Sequence, residues 1–485
     1  MKLVRTVKNS ILLAFLAVFL TGCKGGVQET VKPDMAKAPA KLSMLEEPVA
    51  DYEVLEAKPL IMVDPDGYAI SGEKTALTVA KNIPRTYKVR KSEDGTIVYE
   101  GTVRFKDDDS TDGLVAGLID FTDFCEEGKY YLETDLLGRS LDFEISGNKY
   151  EAIQERARAF LNNKRCTNCH LADVPFENNL SEYKNVSGGW HTNDSGEKDA
   201  VEGCLAVMDI CTAYEYYPSL FPDEDGNGFS DIIDDALFEA EWLYKMQNQE
   251  TGGVYTSVSY RTVSNSENKR LVIGGETTRA TAYFCACMAK LSYTVSRVNS
   301  AEASKAIQAA GIAWKCLEAN KEIVTDDQMF RAAVEMYRAT GYDVYYRVVD
   351  AYLKENAEKE YESRTVLDGA LTYLDSQRRT NVTYCSSLMS NFMSRTEDKV
   401  KAADKNRYAV ESTELTSSEI LRNAYEMILV EYIISNNAYT SNEEDCLHYL
   451  FGRNELSTDL LVNNSTPDDY VKLLCVAAKL ASETE

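Results

Sequence analysis

The sequence predicts a multidomain chain: a β-sandwich of immunoglobulin type over residues 56–147, followed by an all-α domain over 148–485. Two observations lead there. Short alternating segments broken by Gly or Asp-Gly fill the first stretch, and after residue 148 the texture changes to long amphipathic helices.

In chain order, the leader comes first. Lys2, Arg5 and Lys8 precede an apolar run from Ile11 to Leu20. The run is too short to span a bilayer as a helix but suits the core of a signal peptide. It ends in Leu20-Thr21-Gly22-Cys23, which has the form of a bacterial lipobox. Residues 1–22 are therefore expected to be a lipoprotein signal peptide, with lipid attached at Cys23; an ordinary signal peptide with a coincidental Cys is the alternative. The rest of 23–55, poor in periodicity and rich in Lys, Gly, Pro, Ala and Glu, reads as a flexible tether. The expected location is outside the cytoplasm, on a membrane or the cell surface.

Strand-like segments follow at Leu60–Val63, Thr75–Val79, Thr96–Tyr99, Thr102–Phe105, Tyr130–Leu132 and Leu141–Ile145. A spacing near ten residues is that of a sandwich, and no catalytic constellation falls within it. Helical spacing is then predicted near 150–162, 200–216, 231–247, 278–297, 301–319, 327–340, 344–355, 416–435, 440–451 and 468–482, with little strand signal between. Periodicity alone leaves barrel, bundle and solenoid open.

The chain carries 78 acidic and 52 basic residues, a formal charge of −26. That disfavours nucleic acid and anionic lipid surfaces, which need a basic footprint. A neutral polysaccharide is compatible with it. Twelve Cys are present; several, such as Cys204, Cys211, Cys285, Cys287, Cys316 and Cys475, sit in apolar helical runs as small hydrophobes. A disulfide framework has little support in a chain this large.

Several phrases narrow the fold. They include Gly67-Tyr68 before Lys74-Thr-Ala, Ile119-Asp-Phe-Thr-Asp-Phe124, Gly128-Lys-Tyr-Tyr-Leu132, Ser187-Gly-Gly-Trp-His191, Trp242-Leu-Tyr-Lys-Met-Gln247, Gly252-Gly-Val-Tyr255, Ala332-Ala-Val-Glu-Met-Tyr-Arg-Ala-Thr-Gly341 and Tyr449-Leu-Phe-Gly-Arg-Asn454. In order and spacing the chain resembles glycoside hydrolase family 9, the cellulase family, with its N-terminal immunoglobulin-like domain. The resemblance implies an (α/α)6 barrel with an open cleft for β-1,4-glucan or a related plant polysaccharide, and no organic cofactor.

Inverting hydrolysis needs one carboxyl group to protonate the leaving oxygen and another to activate water. The family keeps its base in a Trp-His/Tyr-Asp-Ala-Gly-Asp stretch, which here reads Trp190-His-Thr-Asn-Asp-Ser-Gly-Glu-Lys198. In strict register Thr192 and Ser195 hold the two Asp positions. One residue of slippage would make Asp194 the base, with Glu197 a further candidate; otherwise Asp194 is a solvated loop residue. The family's His-rich segment after Leu-Gly-Arg-Asn is essentially deleted. The last helix opens Pro467-Asp-Asp-Tyr470, so Asp469, or Asp468, stands near the position of the family's acid. An acidic pair in a first turn is also what the helix dipole favours by itself.

Two metal sites are expected. Cys166-x-x-Cys169-His170 with His191 offers two thiolates and two imidazoles, a set that Zn²⁺ accepts. Metal-free thiols, or c-type haem on the same Cys-x-x-Cys-His signature, are the alternatives. Asp223, Asp225, Asn227, Asp231 and Asp234, with Gly228 at the sixth position, follow calcium-loop spacing. An acidic helix-capping turn is the other reading. No phosphate loop, dinucleotide fingerprint or nucleophile elbow occurs.

Three functions remain open: a glycan-binding protein on this scaffold with lost or altered hydrolysis, a working endo-β-1,4-glucanase with relocated carboxylates, and a purely structural role for the outer surface. For the anchor, Cys23→Ser is expected to move most of the protein from the membrane to the soluble fraction, as immunoblots of fractionated cells would read.

Overall fold

The computed structural model describes residues 58–107, 110–167, 171–262, 269–359, 364–462 and 465–484. The expected signal peptide, Cys23 and the expected tether lie outside the described residues, and everything below belongs to the compact unit Lys58–Glu485.

The first part is built from β1 (Ile61–Met62), β2 (Tyr68–Ala69), β3 (Thr75–Ala80), β4 (Thr86–Lys91), β5 (Ile97–Thr102), β6 (Arg104–Lys106), β7 (Val115–Asp120), β8 (Gly128–Thr134), β9 (Gly138–Arg139) and β10 (Phe143–Ser146). One sheet has the order β1-β3-β7-β6; the other runs β2-β10-β8-β4-β5, with β9 on β8. Alternation drives both, since β8 turns Tyr130, Leu132 and Thr134 inward. Tyr68 meets Phe121 and Phe143 edge-on, at centroid distances of 5.1 and 5.3 Å. Strand β4 is missing from the sequence-derived set, although its Tyr87 and Val89 are buried. Lys88, Arg90 and Lys91 mask its alternation.

The helical part begins with α1 (Lys149–Lys164), β11 (Val174–Phe176), β12 (Asn179–Lys184), β13 (Lys198–Asp199), α2 (Ala200–Tyr216) and α3 (Asp231–Met246). Next come β14 (Val254–Tyr255), β15 (Ser257–Thr262), β16 (Lys269–Ile273), β17 (Glu276–Thr277), α4 (Thr278–Val295), α5 (Ser300–Ala319), α6 (Asp326–Thr340) and α7 (Asp343–Asn356). The chain closes with α8 (Arg364–Leu374), α9 (Val382–Lys405), α10 (Ser417–Ile434), α11 (Thr440–Phe451) and α12 (Pro467–Thr484).

Helix α12 packs on α1 and α2, α2 on α3 and α4, α4 on α5 and α6, and α6 on α7 and α8. Helix α9 joins α8 to α10, and α10 packs on α11 and returns to α12. Even-numbered helices such as α4 are buried on nearly all sides, whereas α7 buries only Val349 and Leu353.

Two expectations are corrected. Strands do occur among the helices: β12-β11-β16-β15-β13 form one sheet and β14-β17 another. Segments such as Asn179–Lys184 are polar and exposed, so pairing defines them and no apolar pattern announces them. Helices α8 and α9 were also not foreseen. The buried stripe of α9 is Leu388, Phe392, Thr396, Lys399 and Ala403, helical in spacing but half polar.

The sandwich and helices share a polar seam. The buried Asp64 carboxylate lies 2.8 Å from His448 Nδ1 and 3.5 Å from Lys149 Nζ. Glu444 accepts hydrogen bonds from the Glu73 amide (2.9 Å) and the Tyr150 hydroxyl, and buried Arg453 donates to Thr75 Oγ1. Gly452, at φ +135°, passes so close to Pro65 that a Cβ would stand 2.6 Å from its ring. Removing one partner of such a buried set leaves charge unmatched. Asp64→Ala is therefore expected to lower stability by about 3–5 kcal/mol, measured by urea unfolding.

Candidate active site

The C-terminal end of α1 presents the candidate loop. Arg165 bridges Trp190 in antiparallel fashion, the Cys166 amide donates to Gly189 O (2.9 Å) and the His191 amide to Lys164 O (2.9 Å). Gly189, at φ +67°, lies where a Cβ would meet Trp242 Cβ at 2.6 Å. The Trp190 amide donates to Glu239 Oε2 at 2.6 Å.

Beyond Trp190 the chain turns tightly around Asn193. Its Oδ1 accepts the amides of Ser195 (3.0 Å) and Glu197 (3.2 Å), while Thr192 N donates to Glu197 O (2.8 Å). This turn carries Asp194 out into solvent with its side chain fully exposed, 2.6 Å from Lys164 Nζ. The hydrogen bond and charge of Lys164 hold the Asp194 carboxyl below the usual range. Glu197 is committed elsewhere, accepting from the Tyr260 amide and Asn193 Nδ2, each at 2.7 Å. Thr192 is half-buried, its hydroxyl donating to Glu197 O at 3.1 Å.

The acidic pair opening α12 divides its roles. Asp469 Oδ2 accepts from the Thr466 amide (2.8 Å) and hydroxyl (3.1 Å), while Asp469 N donates back to Thr466 Oγ1 (3.3 Å). That is a reciprocal cap of the kind that closes a helix start. Asp468 turns inward instead, 2.9 Å from Arg364 and 2.6 Å from Lys472. Asp209 of α2 shares both cations, at 2.5 and 2.9 Å. Burial alone would raise the Asp468 carboxyl, but the Arg364 and Lys472 charges outweigh it and hold the group well below the carboxylate range.

Between the turn and α12 lies a cavity lined by Trp190, Thr192, Asp199, Glu202, Glu239 and Asp468. Its volume, about 10 Å³, is close to the room of one water molecule. Two of its carboxyls are displaced upward. Burial, then the charges of Asp468 and Asp199, push Glu202 to about 7. Burial raises Glu239 to about 7 against the Trp190 amide and Lys198. Glu202, Glu239 and Asp209 escape sequence reasoning. A lone Asp inside the apolar stretch Leu205–Ala213 was the one signal that could have drawn attention to this cluster.

Of the zinc set, Cys169 and His170 lie outside the described residues. Cys166 and His191 sit on the two bridged segments just described, and the His191 ring places Nδ1 2.9 Å from Gly196 O. Of the calcium set, Asp223, Asp225 and Asp231 bring carboxylate oxygens within 4.8 Å of one another. Asn227 donates to Asp234 (2.8 Å) and Asp225 (3.2 Å), and Gly228 takes φ +96°.

The profile of glycosyl hydrolase family 9 matches residues 149–468. The chain belongs to that family. A cellulase N-terminal ig-like domain matches residues 56–139. Among curated family 9 relatives, Endoglucanase D of Acetivibrio thermocellus is 26% identical over 433 residues, covering 78% of this chain and 68% of its own. The Cellodextrinase of Butyrivibrio fibrisolvens is 23% identical, covering 77% and 79%. The chain thus spans about two thirds of the length of Endoglucanase D, 68% or 66% of the two forms matched. A crystal structure of a metagenome-derived glycoside hydrolase family 9 endoglucanase superposes with a TM-score of 0.74 at 20% identity, covering 87% of this chain and 99% of that one. A family 9 structure from Bacteroides ovatus gives 0.73 at 16%, covering 88% and 100%. At such identity the likeness is one of fold.

The raised carboxyls have a pH consequence. A carboxyl that holds its proton more tightly when folded contributes stability at low pH and loses it as pH climbs through the folded value. From Glu202 and Glu239, stability should fall between about pH 4.5 and 7. Each contributes up to on the order of 3 kcal/mol. Glu239→Gln is expected to flatten that slope in chemical denaturation series across this range.

Proposed function

We propose that this family 9 protein is a glycan-binding member with lost or altered hydrolytic chemistry, acting on β-1,4-glucan or a related plant polysaccharide and held at a bacterial membrane through lipid on Cys23. The observation that carries this reading is the fate of the two carboxyl positions. The one carboxylate at the tip of the base loop, Asp194, is exposed and tied to Lys164. The inward acid, Asp468, is locked between Arg364 and Lys472, where it has no proton to give near neutral pH. A cavity of about 10 Å³ between them has no room for a sugar ring. The names of the relatives, which include an endoglucanase and a cellodextrinase, support a β-glucan as the ligand class.

The rest of the reading is architectural. The circuit from α2 through α4, α6, α8, α10 and α12 back to α2, with α9 bridging one step, supports an (α/α)6 barrel. Asp223, Asp225 and Asp231 suit a calcium ion that would tie the α2–α3 connection. Cys166 and His191, with Cys169 and His170, suit a structural zinc that would pin the base loop to α1.

One observation favours an active inverting hydrolase. Glu202, pushed up to about 7, is protonated in part of the molecules at neutral pH and stands on the same cavity as Asp468. The two readings separate in one experiment. The protein is offered β-glucans, xylan and mannan, with reducing-end release and binding measured side by side, and with Asp194→Ala, Asp469→Ala and Glu202→Gln for comparison. Binding without release is the expected result. Release lost by at least 100-fold in Glu202→Gln would establish the hydrolase and overturn the proposal.

A further inference from the structure

A second cavity, far larger, opens between α9 and α10. It measures about 410 Å³ and shares no lining residue with the cavity at Trp190. That size falls within the range of about 300–1,000 Å³ usual for small-ligand sites. Its walls come from the second half of α9, the first turns of α10, the segment leading into α10, and Leu367 of α8.

The chemistry of the walls is mixed and held in place. Arg395, Lys399 and Arg422 face Asp398, Glu411 and Glu419, so the lining is balanced in charge. Lys399 and Asn423 are each only 7% exposed. Lys399 Nζ donates to Asn423 Oδ1 at 2.7 Å, and Asn423 Nδ2 donates to Glu411 at 2.7 Å. Behind them Glu426 takes Lys399 at 2.5 Å and Arg422 at 2.9 Å. These two, with Arg395 at 3.7 Å, hold its carboxyl below the usual range despite its burial. Phe392 and Leu415 add apolar surface. A wider, shallower groove of about 810 Å³ continues from it through the shared Asp398 and Glu411. It passes Tyr408 and Glu455 and reaches Asp112 of the sandwich, which Arg407 holds at 2.8 Å.

Fixed donors and acceptors in near-equal number, a small apolar floor and balanced charge match a ligand that is uncharged, dense in hydroxyls and apolar on its ring faces. A polyanion would meet the lining acids and a chain of net charge −26. A cavity of about 410 Å³ that runs on into a groove of about 810 Å³ suits a chain of several sugar residues better than a free monomer. We propose that a neutral oligosaccharide binds here, its terminal residues in the α9–α10 cavity and its continuation along Tyr408 towards the sandwich. This rests on the glycan-binding reading above and relocates the grip away from the closed carboxylate cavity.

The test is calorimetric titration of the purified chain with cellohexaose, with a galacturonate hexamer as the charged counterpart. Ser394→Trp plugs the cavity from an exposed position without removing a buried partner. Arg422→Met removes its donors while Lys399 still holds Glu426. The expected result is a Kd raised at least tenfold in both variants, with Tm within a few degrees of the parent. If cellohexaose binds the parent and both variants equally, the groove assignment falls while the glycan-binding reading stands. Tighter binding of the galacturonate hexamer would overturn the neutral class. If no β-glucan, xylan or mannan binds the parent, the functional reading fails and this one with it.

Discussion

The site is organised by one buried ionic knot. Asp209 on α2, Arg364 at the start of α8, and Asp468 and Lys472 on α12 meet at distances of 2.5–2.9 Å. Removing four charges from water is costly, and only mutual pairing at short range offsets the cost. Asp209 and Asp468 each hold both cations, and Asp368 adds a third carboxylate 3.4 Å from Arg364. The knot ties three separate helices together where α12 begins. The same pairing removes the proton that a general acid would need, so what orders this end of the fold also disables a carboxyl there. On the glycan-binding reading proposed above, this is how a family 9 scaffold would keep its architecture without its usual chemistry.

The base loop shows the same logic on a smaller scale. Its entry is rigid, because Gly189 packs on Trp242 and the Trp190 amide is held by Glu239. Its tip is a side-chain-capped turn around Asn193, a common role for Asn. Asp194 follows it, exposed to solvent. Thr192, half-buried, lines the small cavity. Burial pushes Glu202 and Glu239 up to about 7, and the cavity they line is nearly filled.

Sandwich and helices are joined by polar contacts that recur at one edge: Asp64 with His448 and Lys149, Glu444 with Tyr150, and Arg453 with Thr75. All the helical partners but Lys149 and Tyr150 come from α11 or the turn after it. That turn also supplies Glu455 to the open groove, so the sandwich helps shape the surface proposed to hold the glycan.

Much of this was legible in the residues themselves. Helices with an apolar face, such as 231–247 with Ile232, Ala236, Leu243 and Met246 buried, follow from periodicity, because a buried face must repeat every 3.6 residues. The turn from strand to helix near residue 148 follows from the same rule, and the family phrases follow from their order. What periodicity could not carry is α9, whose buried stripe includes Thr396 and Lys399, and the strands held by pairing alone. The site lay still further from view. Asp468 and Asp469 are adjacent identical letters, and only packing decides that one caps the helix while the other enters the knot with Arg364, 104 residues away. Sequence determines which groups are available and how they repeat along an element. Which charges are neutralised, which carboxyls keep their protons and which cavity stays open depend on neighbours brought together from distant parts of the chain, and those are settled by tertiary structure.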